Sequence, residues 1–100
     1  NGINVYPREL EEVIYQFDGI KEAAVIGIND PRKGDMVVAC VAPIEGATIE
    51  DAALLGFLKD KLAAYKLPRK VMQMENLPRN ATGKILKTKL REIAAEQFGR

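Results

Sequence analysis

The stretch IKEAAVIGINDPRKGDMVVACVAP, residues 20–43, contains the pattern that decides the fold. Two runs rich in valine, isoleucine and alanine, at 20–30 and 36–43, flank the polar segment PRKGD at 31–35. β-Branched runs favour strands, and proline, glycine and charge clustered between them favour a turn. The stretch therefore predicts an antiparallel hairpin. The second strand is almost continuously apolar, so we expect it to be buried on both faces.

A helix is predicted before this hairpin. Pro7 suits the first turn of a helix, and acidic residues follow it where the helix dipole favours negative charge. Asp18-Gly19 is expected to end the helix before the first strand. Apolar residues recur between these limits at helical spacing, and they are Leu10, Val13, Ile14 and Phe17.

A second helix, a third strand and a last helix are predicted after the hairpin. Thr48 is the candidate N-cap of the second helix, and KVMQME at 70–75 is the candidate strand. This order of elements indicates a two-layer α+β domain, in which helices pack on a small mixed or antiparallel sheet. The apolar residues that predict the two helices are Leu55, Leu58 and Leu62, and then Ile85, Leu86, Leu90, Ile93 and Ala94.

Composition limits the classes of function. The chain has 100 residues, a net charge of +1, no histidine and one cysteine, Cys40. This length fits one small domain. The absence of histidine excludes a Ser/His/Asp triad and a histidine metal site within this chain. Cys40 has no partner for an internal disulfide and no apolar run reaches the roughly 20 residues of a membrane span, so a cytoplasmic protein is expected.

Positive charge is concentrated around one lysine, Lys84, in the segment LPRNATGKILK at 77–87. The spacing excludes a phosphate-binding P-loop, since Pro78 stands where the first glycine should be. Lys84 precedes the last helix, at the end where the dipole favours an anion, so it is either a surface charge or a ligand for a bound anion. Tyr65 is the one aromatic residue among these cations, which argues against nucleic acid. Residues 65–91 contain one acid, Glu75, against Lys66, Arg69, Lys70, Arg79, Lys84, Lys87, Lys89 and Arg91.

Four segments together resemble a known family. NGINVYPRELEE, DPRKGDMVVACV, YKLPRKV and LPRNATGKILK occur in the order and at the spacing of the C-terminal domain of adenylate-forming enzymes. The resemblance covers nearly the whole chain and is strongest to bacterial acyl-CoA synthetases. It implies that residues 1–100 form a single C-terminal lid domain. The large N-terminal domain that binds ATP and the acid is then expected to be a partner outside this chain.

The resemblance also implies a reaction and a catalytic residue. Such enzymes join a carboxylic acid to ATP with Mg²⁺, giving an acyl-adenylate and pyrophosphate, and CoA then displaces AMP to give the thioester. Lys84 matches the family's catalytic lysine in the first step, and Gly83 matches the glycine that supports its loop. An ammonium group suits this step because it offsets repulsion between the carboxylate and the triphosphate. Mg²⁺ is expected to be bound mainly by the N-terminal domain.

A second set of residues is implied for the thioester step, after rotation of the domain. Gly2 matches a loop beside the pantetheine arm of CoA. Tyr65, Lys66 and Arg69 match a stretch near the CoA nucleotide, where a ring stacks on adenine and cations meet phosphates. Lys33, on the turn between the two strands, is a candidate for the same region. A half-buried helix end is the alternative interpretation of Tyr65.

Two other functions stay open on the sequence. One is an adenylation domain that loads a carrier protein instead of free CoA. The other is a non-catalytic basic binding module that works without a catalytic domain. Trapping the thioester product with each acceptor separates the carrier-protein-loading domain from the acyl-CoA synthetase. A Gly/Ser/Thr-rich ATP-binding domain upstream of Asn1 would exclude the stand-alone binding module.

Overall fold

The computed structural model describes residues 7–30 and 34–98. The predicted order of elements, helix, strand, strand, helix, strand, helix, is confirmed. No helix among the described residues is long and apolar enough to cross a membrane. The elements are α1 (Pro7–Ile14), β1 (Ile20–Asp30), β2 (Gly34–Pro43), α2 (Asp51–Lys61), a 3-10 helix (Ala64–Lys66), β3 (Lys70–Gln73) and α3 (Lys87–Phe98).

The three strands form one mixed sheet in the order β1-β2-β3. β1 and β2 pair antiparallel, with Ala24 opposite Cys40, so the predicted hairpin is confirmed. β3 joins the other side of β2 in parallel, with Met72 beside Cys40. The most apolar strand of the chain therefore lies in the centre of the sheet.

Helices cover both faces of this sheet. On one face, Leu90 and Ala94 of α3 pack with Cys40 and its neighbours on alternate positions of β1 and β2. On the other face, α1 and α2 pack on the intervening positions, such as Val25 and Val41. Side chains of a strand alternate between faces, so each strand supplies both clusters.

The predicted two-layer arrangement is therefore wrong, because the helices and the sheet form three layers. The physical reason lies in β2, whose residues Val38, Ala39, Cys40 and Val41 are all 0% exposed. A strand that is apolar on both faces needs a cover on each side. The α+β class and the small mixed sheet stand as predicted.

The helix ends differ from the sequence-based expectations. α1 ends at Ile14, ahead of the predicted stop at Asp18-Gly19. Thr48 does not cap α2, because the N-cap is Glu50, which makes no side-chain capping bond. Gln73 of β3 donates from Nε2 to the Ile49 carbonyl and to the Asp51 carboxylate, both at 2.7 Å. These bonds fix the chain where α2 begins.

The buried face of α2 is centred on Leu54 and Leu58, and not on the predicted Leu55, Leu58 and Leu62. Leu54, which the prediction omits, and Leu58 are both 0% exposed. Leu55 and Leu62 are half-buried at the edges of this face. In the last helix the predicted core positions Leu90 and Ala94 are buried, whereas Ile85 and Leu86 lie ahead of the first residue of α3.

The outer edge of β1 is covered by side chains of the first helical segment. The backbone N–H of Val25 donates to Glu11 Oε2 at 2.8 Å, and that of Ala23 donates to the Tyr15 hydroxyl at 3.0 Å. Glu11 also pairs with Lys87 at the start of α3, at 2.7 Å. Unpaired strand edges invite association with other chains, and these contacts satisfy the Ala23 and Val25 N–H groups of this edge within the domain.

Candidate functional site

Lys84 lies in a tight reversal of the chain between β3 and α3. Arg79 and Ile85 face each other in an isolated antiparallel bridge. The N–H of Leu86 donates to the Pro78 carbonyl at 2.8 Å, and that of Asn80 donates to the Lys84 carbonyl at 2.9 Å. Residues 78–86 thus form a small hairpin with Lys84 near its tip, and we call this segment the lysine turn.

The Asn80 side chain holds the inside of the lysine turn together. Its Oδ1 accepts hydrogen bonds from the Thr82 N–H at 3.0 Å, the Thr82 hydroxyl at 2.8 Å and the Lys84 N–H at 3.0 Å. An asparagine at the start of a turn commonly bonds the backbone a few residues on. Here that bonding fixes the backbone of Lys84 itself.

Gly83 allows the turn to close. Its φ is +88°, in the left-handed region, and its N–H donates to the Asn80 carbonyl at 3.0 Å. A residue with a side chain is strained at such a φ, although an added Cβ would meet no atom within 4 Å. The glycine is therefore needed for its backbone conformation and not for lack of space.

A part-buried ion pair links the turn to β1. Glu22 is the one charged side chain counted as buried in the described part of the chain. Its carboxylate accepts the Leu77 N–H at 3.1 Å, Arg79 Nε at 2.9 Å and a second bond from Arg79 Nη2. The Leu77 hydrogen bond, with the Arg79 guanidinium beside it, lowers the pKa of Glu22 in spite of burial. Arg79 also donates from Nη1 to the Gly83 carbonyl.

The Lys84 ammonium is exposed and has no acidic partner among the described residues. Several other cations of the basic segment, residues 65–91, are paired with acids. Lys66 pairs with Glu9 at 3.0 Å, Arg79 with Glu22, and Lys87 with Glu11. The basic segment is therefore not a uniform positive surface, and Lys84 is held out from the domain with its charge available.

The residues expected near CoA are only partly described. Gly2 and Lys33 lie outside the described residues, as does the side chain of Tyr65, whose backbone belongs to the 3-10 helix. Lys66 donates to both carboxylate oxygens of Glu9, at 3.0 and 3.1 Å. Arg69 is exposed just before β3, and its N–H donates to the Val37 carbonyl at 2.8 Å.

The sheet separates Arg69 from Lys84. Arg69 bonds to Val37 near the start of β2, whereas Glu22, which holds the lysine turn, pairs with Ala42 near the end of β2. Five steps along a strand, at about 3.3 Å each, span roughly 17 Å. Arg69 and the lysine turn are thus attached toward opposite ends of one strand, and the described residues do not bring the two together.

Sequence reasoning missed the residues that support Lys84. Glu22 is an acid directly before the apolar run 23–28 of β1, and that position is the one local signal it gives. Arg79 and Asn80 belong to the LPRNATGKILK segment but were assigned no role of their own. Cys40 lies in the core, where burial raises the pKa of its thiol to about 12, so it is an apolar packing group at neutral pH.

The chain matches the family model described as "AMP-binding enzyme C-terminal domain" over residues 9–84. The match covers most of the chain and ends on Lys84. The chain therefore belongs to the AMP-binding enzyme C-terminal domain family.

Curated relatives and solved structures agree with this assignment. The chain is 45% identical over 91 residues to a long-chain-fatty-acid–CoA ligase of Mycobacterium tuberculosis, covering 91% of this chain and 18% of that protein. It is 41% identical over 96 residues to an indoleacetate–CoA ligase of Aromatoleum aromaticum, covering 96% and 19%. ATP-bound MatB of Rhodopseudomonas palustris matches with a TM-score of 0.89 at 41% identity, over 97% of this chain and 19% of that one. The chain thus spans about a fifth of the length of these relatives.

Proposed function

We propose that this chain is the C-terminal domain of an ATP-dependent, AMP-forming acid–CoA ligase. In this proposal residues 1–100 form one mobile domain whose partner is a large N-terminal domain of the same enzyme. The observation that carries it is Lys84, held on a closed turn with an exposed ammonium and no acidic partner among the described residues. The family match over residues 9–84, which includes Lys84, supports the same interpretation.

Lys84 would act in the adenylation step. The carboxylate of the acid must approach the triphosphate of ATP, and both are anions. An ammonium between them lowers their repulsion and stabilises the charge that develops as pyrophosphate departs. The hydrogen bonds of Asn80 and the conformation of Gly83 hold the Lys84 backbone in place before the substrates arrive.

Mg²⁺ is expected with ATP, and its ligands would come from outside the described residues. These residues contain no group of three or more His, Cys, Asp or Glu side chains that could hold a metal ion. In this proposal the described residues contribute the lysine and the loop that carries it.

In the thioester step the domain would present to the substrate the end of the sheet where Arg69 bonds to Val37. Gly2, Lys33, Tyr65, Lys66 and Arg69 are the residues proposed near CoA. The placement of Arg69 toward the opposite end of β2 from the lysine turn supports two separate poses. Because Lys66 is paired with Glu9, a CoA phosphate would have to compete with that carboxylate.

Free CoA is the acceptor that the relatives favour, since the two curated relatives above are named as CoA ligases. A carrier protein remains the alternative acceptor, and thioester formation with each of the two distinguishes them. The stand-alone basic module is disfavoured, because Lys66, Arg79 and Lys87 of the basic segment are already paired with acids. A cytoplasmic location belongs to the same proposal.

The test of the adenylation role is Lys84→Ala in the full-length ligase. Adenylation is measured by exchange of labelled pyrophosphate into ATP, and the thioester step by supplying preformed acyl-adenylate and CoA. Loss of one preorganised charge contact is expected to slow adenylation by about 100- to 1,000-fold, with little change in the second step. Lys89→Ala, which removes another exposed lysine on α3, is the matched control. Equal losses in both steps would contradict the assignment.

The CoA-facing end has its own test in the same enzyme. Arg69→Ala is expected to raise the KM for CoA and leave adenylation unchanged, and Arg91→Ala on the exposed side of α3 is its control. Gly2→Leu is expected to slow only the thioester step, because a side chain there would obstruct the pantetheine arm. Normal thioester formation in Gly2→Leu would remove that residue from the proposal.

A further inference from the structure

We propose that Glu22 and Arg79 are positioning residues for Lys84, which fix the direction in which the lysine turn projects from the sheet. The inference rests on the proposed function, in which Lys84 serves adenylation. It assigns a catalytic purpose to the ion pair between Arg79, whose side chain is 43% exposed, and the buried Glu22, which is far from the lysine in the sequence.

Glu22 provides a fixed point of attachment. It lies in β1 on the same face as Ala24, and its backbone pairs with Ala42 of the central strand β2. Its side chain is 12% exposed, so the carboxylate has little room to move. A close-packed sheet of this kind is the most rigid part of a small domain.

The side-chain hydrogen bonds of Glu22 connect β1 to the lysine turn. Its carboxylate binds the Leu77 N–H and the Arg79 guanidinium, and the same guanidinium reaches forward to the carbonyl of Gly83. That carbonyl belongs to the peptide unit that joins Gly83 to Lys84. An unbroken chain of polar contacts thus runs from the sheet to the backbone of the lysine.

The turn does not need this ion pair for its own shape. Asn80 and the backbone bonds already close it from within. Among the described residues, the hydrogen bonds that join 77–84 to β1 all end on the Glu22 carboxylate. Asn80 therefore sets the form of the turn, and the Glu22–Arg79 pair sets its orientation relative to the core.

Stability alone does not account for the pair. Taking the Glu22 carboxylate out of water costs free energy, and a pair whose other partner is largely exposed, as Arg79 is, gains only modest Coulombic stabilisation. What an apolar pair cannot supply is a directed contact to the Gly83 carbonyl. A planar guanidinium holds several donors in a fixed fork, so Arg79 can bind Glu22 and Gly83 at once.

Arg79→Lys separates these two functions. A lysine retains the charge beside Glu22 but, as a compact ammonium on a flexible stem, cannot hold both partners in a fixed relation. Glu22→Gln is the complementary change, since the amide oxygen still accepts the Leu77 N–H while the charge opposite Arg79 is lost. Arg91→Lys and Glu96→Gln make the same chemical changes at exposed positions of α3 and serve as matched controls.

The experiment uses the full-length ligase and measures both half-reactions. Misplacing a catalytic group by about 1 Å can cost on the order of 100-fold, so Arg79→Lys and Glu22→Gln are expected to lower the kcat of adenylation by roughly 10- to 100-fold. The KM for ATP and the thioester step from preformed acyl-adenylate are expected to stay within about twofold, since neither depends on where Lys84 points.

A double variant identifies the route of the effect. If Arg79 acts through Lys84, Arg79→Lys has no further effect on adenylation in the Lys84→Ala background. A merely structural role would lower the activity of both backgrounds by the same factor. The same structural role would also slow the thioester step and lower the unfolding temperature by an amount that tracks the loss of activity.

The outcomes distinguish this proposal from the proposed function. A selective loss in Lys84→Ala, with none in Arg79→Lys or Glu22→Gln, overturns the positioning role alone. Equal loss of both half-reactions in Arg79→Lys, or additive effects in the double variant, also overturns it. If Lys84→Ala itself spares adenylation, the proposed function fails and the positioning role fails with it.

Discussion

Two glycines of this domain should respond in opposite ways to the same added methyl group. Gly83 has a φ of +88° at the tip of the lysine turn, whereas Gly56 lies in the middle of α2 without a positive φ. At both positions an added Cβ meets no atom within 4 Å. Because steric contact with neighbours is absent in both cases, the backbone conformation decides the outcome.

The magnitudes follow from that conformation. In Gly83→Ala the left-handed backbone costs about 1–2 kcal/mol, and the reduced freedom of the unfolded chain offsets about 0.4–1 kcal/mol of this, leaving a loss of about 1 kcal/mol. In Gly56→Ala the helix is compatible with alanine, so the gain is about 0.5–1 kcal/mol. For a domain of this size, 1 kcal/mol corresponds to about 4–8 °C in Tm.

Urea and thermal unfolding of this chain, followed by circular dichroism, measure both changes. Gly46→Ala is a second strained position, with a φ of +85° and no atom within 4 Å of an added Cβ, so its loss should match that of Gly83→Ala. In the full ligase, Gly83→Ala should slow adenylation more than Gly46→Ala does at equal stability. The reasoning is refuted if Gly83→Ala stabilises the domain or if Gly56→Ala destabilises it as much as Gly83→Ala.

Three further outcomes follow from burial and charge. Leu54→Ala should cost about 2–5 kcal/mol in urea unfolding, and Leu55→Ala clearly less, because Leu54 is 0% exposed and Leu55 is half-buried. Folding lowers the pKa of Glu22 from 4.5, so its ionised carboxylate stabilises the fold above pH 4.5 and this stabilisation is lost as the pH falls through the lower pKa of the folded state. The urea midpoint of the unsubstituted chain should therefore fall on acidification by more than that of Glu22→Gln. Cys40, with a thiol pKa of about 12, should resist alkylation in the folded chain and react in urea, as read by mass spectrometry; rapid labelling without urea would contradict its burial.

The elements of the fold were predictable because their signals are local. β-Branched runs on either side of a polar turn identify the hairpin at 20–43, and helical spacing identifies the apolar faces around Leu10 and Leu90. The number of layers was harder to predict, because it depends on which helix covers which face of β2. The burial expected for both faces of β2 already implied a cover on each side, and the structure shows how α3 provides the second one.

The support of the candidate site could not be predicted because it depends on long-range contacts. Glu22 and Arg79 are 57 residues apart in the chain, and no periodicity or motif links them. Within the lysine turn, charge and spacing made Lys84 a plausible anion ligand without naming the anion. The resemblance to adenylate-forming enzymes supplied the chemistry, and the Asn80 hydrogen bonds supply the physical reason why the turn is ordered.

The layout of the sheet limits how Lys84 and Arg69 could serve the adenylation and thioester steps. The lysine turn is attached through Glu22 opposite Ala42, and Arg69 is attached at Val37, so the two attachment points lie five residues, or roughly 17 Å, apart along β2. A packed central strand does not shorten by such a distance, so the two attachment points keep their spacing when the domain moves as one body. If Lys84 and Arg69 serve different steps of one reaction, a turn of the whole domain would bring each attachment point to the substrate in its own step. Substitutions at the Lys84 end should then affect adenylation, and substitutions at the Arg69 end should affect the thioester step.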